Sequence, residues 1–89
     1  MKKSNRADNF ISELDLEILR ALDKRGGYGV IELREKIKIN PMTARKHLNR
    51  LQKLKLVERK RVDKTNRAEL NITSYGKELL ILFNKILKS

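Results

Sequence analysis

The stretch from Asn40 to Leu54 separates into an apolar side and a polar side when its residues are spaced at about 100°, as in an α-helix. The apolar side comprises Ala44, His47, Leu48, Leu51 and Leu54. The opposite side comprises Met42, Arg45, Lys46, Asn49, Arg50 and Lys53, with Thr43 at the edge. Asn40 is a favourable N-cap, and Pro41 suits the first helical position because its missing N–H costs nothing there. We therefore predict an amphipathic helix with one side for a core and one cationic side.

A first helix is predicted to begin at Ser12, which forms a capping-box pattern with Asp15, and to end at Gly26-Gly27. Its apolar stripe comprises Ile11, Leu14, Ile18, Ala21 and Leu22. Leu16 and Leu19 lie off this stripe, so we expect them to be left over from the core.

A second, shorter helix is predicted over Val30–Ile37, after a turn with room for a very short strand at Tyr28. Only Lys38 and Ile39 separate it from the N-cap of the Asn40 helix. Two helices joined by about three residues, the second of them basic on its outer side, have the layout of a helix-turn-helix.

After Leu54 the pattern changes to the alternation typical of strands. Two strands are predicted, Leu56–Val62 and Ala68–Thr73, joined by the polar loop Asp63–Arg67. A last helix is predicted from Thr73 or Ser74 to about Leu87. Its apolar positions are Tyr75, Leu79, Leu80, Leu82, Phe83, Ile86 and Leu87. They span about 160° of the helix, which is wider than one core contact needs and favours a partner surface.

The charge of the chain is concentrated in its middle third. The 89 residues, 39% of them hydrophobic, suffice for one modest core, and the net charge is +11. From Arg34 to Arg67, 13 Lys and Arg face 3 acidic residues, so this segment carries +10. Such concentration indicates a polyanionic partner, either nucleic acid or an acidic membrane surface.

Several classes of site have no residues to support them. The absence of Cys excludes disulfides and thiolate chemistry, and His47 is the one His of the sequence. We expect His47 to be packed rather than to bind a metal, Tyr75 to lie in the core, and no cofactor, metal or catalytic site to be present. Met1–Asn9 lacks the apolar region of a secretory signal, and no apolar run reaches membrane-spanning length, so we expect a cytoplasmic protein without a membrane partner.

The order of elements resembles a winged helix-turn-helix, as in MarR-like and ArsR-like regulators and many small archaeal and viral DNA-binding proteins. The resemblance is carried by the segment ELREKIKINPMTARKHLNRLQKLKLVER and by ITSYGKELL, which is similar to the family's "LT..G..L" entry into the last helix. Two departures concern the usual Gly before the strand, here Lys55, and the usual Ser or Gln at the helix start, here Pro41 and Met42.

The resemblance implies a mostly α, α+β fold with a three-helix core, a β-hairpin wing and a C-terminal helix. Residues 1–11 would form a flexible basic N-terminus, 12–73 the DNA-binding domain, and 74–89 a C-terminal dimerisation helix. It places near base edges Pro41, Met42, Thr43, Arg45 and Lys46. It places near phosphates Lys38, Asn49, Arg50 and Lys53. The wing would contribute Arg59, Arg61, Lys64, Asn66 and Arg67.

The function expected from these features is sequence-specific binding of double-stranded DNA by a homodimeric transcription regulator. The dimer interface would comprise Leu16, Leu19, Leu80, Phe83 and Leu87. Two alternatives remain open at this point. One is a non-specific architectural DNA or nucleic-acid binder, which needs only the charge, and the other is a winged-helix module for protein interaction.

Overall fold

A computed structural model describes residues 11–61 and 68–88 of the chain, without the side chains of residues 87 and 88. Within these ranges lie four helices and one antiparallel pair of strands. The elements, in chain order, are α1 (Glu13–Lys24), α2 (Val30–Ile37), α3 (Pro41–Lys53), β1 (Val57–Arg61), β2 (Ala68–Ile72) and α4 (Ser74–Lys88). The predicted winged-helix fold class is confirmed.

The start of α1 is fixed by the predicted capping box. The backbone N–H of Asp15 donates to the Ser12 hydroxyl at 3.2 Å, and the Ser12 N–H donates to Asp15 Oδ2 at 2.9 Å. Two of the donors that a helix start leaves unpaired are thereby satisfied. Ile11, assigned above to a flexible segment, packs against the core, and residues 1–10 lie outside the described ranges.

The helix-turn-helix consists of α2 and α3. The turn between them is made by Lys38, whose backbone is left-handed with φ of 56°, and α3 then begins as predicted. The Asn40 side chain accepts the Thr43 N–H at 2.8 Å, and Pro41 occupies the first turn. At the other end of α3, Lys55 has φ of 65°, so Lys takes the left-handed position that Gly commonly holds.

The two strands form a hairpin-like pair against the helices. β1 pairs with β2 so that Val57 lies opposite Ile72 and Arg61 lies opposite Ala68. The expected short strand at Tyr28 is present as an isolated bridge, in which the Leu70 N–H donates to the Tyr28 carbonyl at 2.7 Å. This bridge joins the wing to the turn before α2.

Helix α1 is the centre of the packing, because it contacts α2, β2 and α4. With partners on three sides, it buries both its main apolar stripe and the residues off that stripe. Leu16 and Leu19 are therefore core residues, as is Leu80 of α4, and the prediction that they were available for a dimer interface is wrong. The wheel pattern of α1 alone could not show how many neighbours surround it.

The prediction that Tyr75 lies in the core is also wrong, since 65% of this residue is exposed. Its neighbour Gly76 faces inward instead. A Cβ at Gly76 would lie 2.5 Å from the Leu56 carbonyl oxygen, so the absence of a side chain lets α4 approach the backbone just before β1. Among the described residues, no helix is both long and apolar enough to cross a bilayer.

Candidate nucleic-acid interface

The outer side of α3 is a cationic surface that faces away from the core. Arg45, Lys46, Asn49 and Lys53 are exposed, while Ala44, Leu48 and Leu51 are buried beneath them. Within residues 11–61 and 68–88, no ion pair joins Arg45, Lys46 or Lys53 to a carboxylate. We call these four exposed side chains the outer face of α3.

One flank of α3 is bound to the start of α1 through a buried carboxylate. Asp15 is fully buried, and its Oδ1 lies 2.7 Å from Nδ1 of His47. Because an ionised carboxylate only accepts, Nδ1 of His47 donates in this contact. The other oxygen, Oδ2, accepts a hydrogen bond from Nη2 of Arg50. We call Asp15, His47 and Arg50 the Asp15 cluster.

The Asp15 cluster keeps its carboxyl ionised. Burial raises the pKa of Asp15, but the hydrogen bonds from the Ser12 backbone and from His47, with the positive charge of Arg50, outweigh burial and leave this pKa below its ordinary value. A buried charge is tolerated where it is paired and hydrogen-bonded. The cluster therefore fixes α3 against α1 at the edge of the cationic surface.

This pairing corrects the prediction that Arg50 meets a phosphate. Only 20% of its side chain is exposed, and its guanidinium is engaged by Asp15. The expectation that His47 is packed is confirmed, since it is half-buried in the same cluster. In the described part of the chain, no three His, Cys, Asp or Glu side chains come together as a metal site would require.

The opposite flank of α3 borders a recess of about 230 Å³ between α2, α3 and β1. Its polar lining residues are Arg34, Arg45, Asn49, Gln52 and Arg59. Arg34 Nε is buried and has no hydrogen-bond partner among the described residues. The sequence analysis did not identify Arg34 as a candidate functional residue. The signal that could have identified it is its position on α2, one residue after buried Leu33. We call this cavity the arginine recess.

The wing continues the positive surface beyond the recess. Arg59 and Arg61 are exposed on β1, and Lys38 is exposed in the turn between α2 and α3. Lys64, Asn66 and Arg67, also predicted for the wing, lie outside the described residues. The structure thus brings Arg59 next to α3, and the remaining wing residues stay a prediction.

Residues 11–58, more than half of the chain, match the family described as winged helix-turn-helix DNA-binding. The chain belongs to this family. The match covers α1, α2, α3 and the first residues of β1, which together hold the Asp15 cluster and the outer face of α3. None of the curated proteins is similar enough in sequence to match the chain.

Three solved structures have the same fold. A mutant of MepR from S. aureus superimposes with a TM-score of 0.83 at 20% identity over 88% of this chain and 59% of its own. The transcriptional regulator BldR from Sulfolobus solfataricus has a TM-score of 0.77 at 24% identity, over 88% of this chain and 56% of its own. A MarR mutant from E. coli, in complex with operator DNA, has a TM-score of 0.75 at 16% identity, over 81% and 52%. This winged helix-turn-helix chain spans less than two thirds of the length of each, and the likeness shows the fold.

Helix α4 gives this winged helix-turn-helix chain an apolar surface different from the one predicted. The exposed apolar residues are Ile81, Leu82 and Ile86, at 55%, 56% and 67% exposure. Tyr75, Leu82 and Ile86 are spaced by seven and four residues, so they share one stripe of α4. Phe83, predicted for a dimer interface, is half-buried against the core, and the Leu87 side chain lies outside the described residues.

Proposed function

We propose that this chain is a transcription regulator that binds double-stranded DNA in a sequence-specific manner as a homodimer. The observation that carries the proposal is the outer face of α3, where Arg45, Lys46 and Lys53 are exposed with no carboxylate partner in the described chain. Cations left unpaired at the surface of a folded domain are available to phosphates and base edges.

The N-terminal half of α3 is proposed to read bases in the major groove. Arg45 can form a bidentate pair with guanine, Lys46 and Thr43 can donate to base acceptors, and exposed Met42 can contact a thymine methyl group. Pro41 begins the helix and would lie near the base edges with these side chains. Asn49, Lys53 and Lys38 would meet phosphates, which position the protein without reading sequence.

The wing is proposed to contact the neighbouring backbone or minor groove. Arg59 and Arg61 are exposed on β1, on the same side of the molecule as the arginine recess. Lys64, Asn66 and Arg67 would extend this contact from the segment between the strands. Cationic side chains with one amide suit backbone contact more than base reading.

A homodimer is proposed through α4. Its exposed stripe of Tyr75, Leu82 and Ile86 is apolar. Such a surface is exposed to solvent in a monomer unless a partner covers it. A two-fold axis would join two copies of the same stripe and present two α3 helices to half-sites about 34 Å apart.

The proposal is tested by fluorescence anisotropy of a labelled duplex of random sequence, titrated with protein over a series of salt concentrations. A chain that meets several phosphates should lose orders of magnitude in affinity between about 50 and 200 mM salt. A single-stranded RNA competitor should not displace the duplex. Selection from a random pool should then yield a duplex bound at least about 1,000-fold more tightly than the starting pool.

A second candidate, non-specific DNA binding, is favoured by Met42, which is 80% exposed at the base-proximal end of α3 where polar reading groups are expected. It predicts that selection yields no preferred sequence. Absence of duplex binding at low salt would instead contradict both candidates and support an acidic protein partner.

Dimerisation is tested by sedimentation of the wild type and of Leu82→Lys. The charged side chain should convert a dimer into a monomer, because two lysines would oppose each other across the axis. Asn84→Lys adds the same charge on an exposed position of α4 away from the stripe and should leave the dimer intact. A monomeric wild type, or equal effects of the two variants, would contradict the α4 dimer.

A further inference from the structure

The arginine recess combines three positive charges with no acidic side chain among its described lining residues. Arg34 comes from α2, Arg45 from α3 and Arg59 from β1, so three separate elements each contribute an arginine to the lining of one cavity. Like charges at one site repel each other unless an anion lies between them. The two carboxamides in the lining, Asn49 and Gln52, add neutral N–H donors.

Arg34 carries the second, independent observation. Its Nε is buried but unpaired among the described residues, although buried donors in folded proteins are nearly always satisfied. Nε of Arg50 is also buried and unpaired, but the Arg50 guanidinium is engaged by Asp15, whereas Arg34 has no carboxylate partner among the described residues. Asn49 and Gln52, which also line the recess, carry acceptor oxygens, but neither is hydrogen-bonded to Arg34 Nε. An oxygen atom supplied by a ligand in the recess would complete the hydrogen bonding of this donor.

The position of the recess in the fold indicates what that ligand is. The argument rests on the proposed function, in which α3 lies in the major groove and the wing in the adjacent minor groove. One sugar-phosphate strand separates these two grooves, so it must cross the surface between α3 and β1. The arginine recess opens there.

We propose that the arginine recess binds a phosphate group of the DNA backbone and that Arg34 is its innermost ligand. The guanidinium fork matches the geometry of two phosphate oxygens, and a half-buried arginine loses less freedom on binding than a mobile surface side chain. Arg59 closes on the phosphate from the wing. The contact positions the duplex and carries no sequence information.

The first experiment compares Arg34→Gln with Lys36→Gln in the anisotropy assay on wild-type background. Both residues lie on α2 and both substitutions remove one positive charge, but Lys36 is exposed and is not part of the recess. Arg34→Gln should weaken duplex binding about tenfold and lower the slope of log affinity against log salt by about 0.9, the value for one phosphate contact. The loss should be equal for random and selected duplexes.

The Lys36→Gln control should change the slope of log affinity against log salt by much less, because it alters only the overall electrostatic potential of the protein. Equal slope changes in the two variants, or no change in Arg34→Gln, would overturn the recess as a phosphate site. A wild type that binds no duplex would instead reject the proposed function itself, so the two failures are distinguishable.

A second measurement keeps the proposal testable if Arg34→Gln fails to fold. Arginine Nε–H resonances of the wild-type protein are recorded by NMR, and that of Arg34 is assigned through its loss in Arg34→Lys. This resonance should shift when the duplex is added, since Nε gains an acceptor, whereas that of Arg25, which is paired with Glu32, should not.

In a final experiment, the protein is titrated with inorganic phosphate at matched ionic strength while the Arg34 Nε–H resonance is recorded. A weak shift of the Arg34 resonance with phosphate and a strong one with the duplex would support the proposal. A shift with inorganic phosphate and none with the duplex would assign the recess to a free anion and overturn the assignment to the DNA backbone.

Discussion

The two flanks of α3 show how one helix uses the same residue type in opposite ways. Arg50 lies on the flank that faces α1 and is engaged by the buried carboxylate of Asp15. Arg45 lies on the other side of the helix, exposed beside the arginine recess and with no acidic partner in the described chain. The charge that α3 presents outward is therefore smaller than its count of Lys and Arg.

The difference follows from what each flank packs against. Asp15 is the third residue of α1 and is held by the capping box. The local structure of α1 therefore fixes the position of its charge at the contact between α1 and α3. A buried carboxylate requires cationic or hydrogen-bonding partners, and Arg50 and His47 supply them. In residues 11–61 and 68–88 no acidic side chain lines the recess, so Arg34 and Arg59 keep their charge available there.

The largest expected effect is on the outer face of α3. The double variant Arg45→Ala, Lys46→Ala should weaken binding to a selected duplex about 100-fold, because it removes two base contacts and two positive charges together. The control double variant, Lys24→Ala with Lys77→Ala, removes the same charge from α1 and α4, and its affinity should fall far less. Equal losses in anisotropy titrations would mean that total charge alone governs binding.

The next effect concerns the Asp15 cluster. Asp15→Asn should lower the free energy of unfolding by about 2 kcal/mol, because Arg50 and His47 lose the anion that compensates their burial. Glu17→Gln neutralises an exposed acid on the same helix and should change stability by less than about 0.5 kcal/mol. Urea unfolding measures both, and similar values for the two variants would show that the cluster adds nothing beyond surface charge.

A matched pair of arginine variants sharpens the comparison between the flanks. Arg45→Gln should weaken binding to a selected duplex about tenfold with stability unchanged, because it removes a pair with guanine. Arg50→Gln should leave the affinity unchanged and lower stability by about 1 kcal/mol, since its partner is Asp15 rather than DNA. If Arg50→Gln reduced the affinity as much as Arg45→Gln, the two flanks would not differ in function.

The smallest effect is a dependence of stability on acid. A carboxyl whose pKa is lowered by folding contributes its full stability above its unfolded pKa of about 4, and the contribution is lost as pH falls through the lower folded pKa. The stability of the wild type should therefore fall more steeply than that of Asp15→Asn as pH drops below about 4. Parallel curves in urea unfolding at several pH values would contradict this role of Asp15.

The sequence predicted most of the local structure because local signals specified it. The Asn40 cap and Pro41 marked the start of α3, the Ser12–Asp15 pair marked the start of α1, and alternation marked β2. The predicted exposure of Arg45, Lys46, Asn49 and Lys53 also followed from helical period alone. These features depend on residues within a few positions of one another.

The errors concern residues whose environment is set by distant parts of the chain. Leu16 and Leu19 were expected at a dimer interface, but α4 and the strands enclose α1, and both are buried. Arg50 was assigned to phosphate because Asp15, 35 positions away, could not be placed beside it from the sequence. Tyr75 was assigned to the core, although Gly76 is the residue that faces it.

The sequence by itself determined the order of helices and strands, the cationic side of α3 and the concentration of charge between Arg34 and Arg67. Periodicity and capping are local, and net charge is a sum, so neither needs three-dimensional information. Only the tertiary structure decided which cations pair with Asp15, which line the recess with Arg34, and which apolar residues of α4 remain exposed. Those outcomes depend on which distant element packs against each face, because burial and ion pairing are properties of contacts between elements.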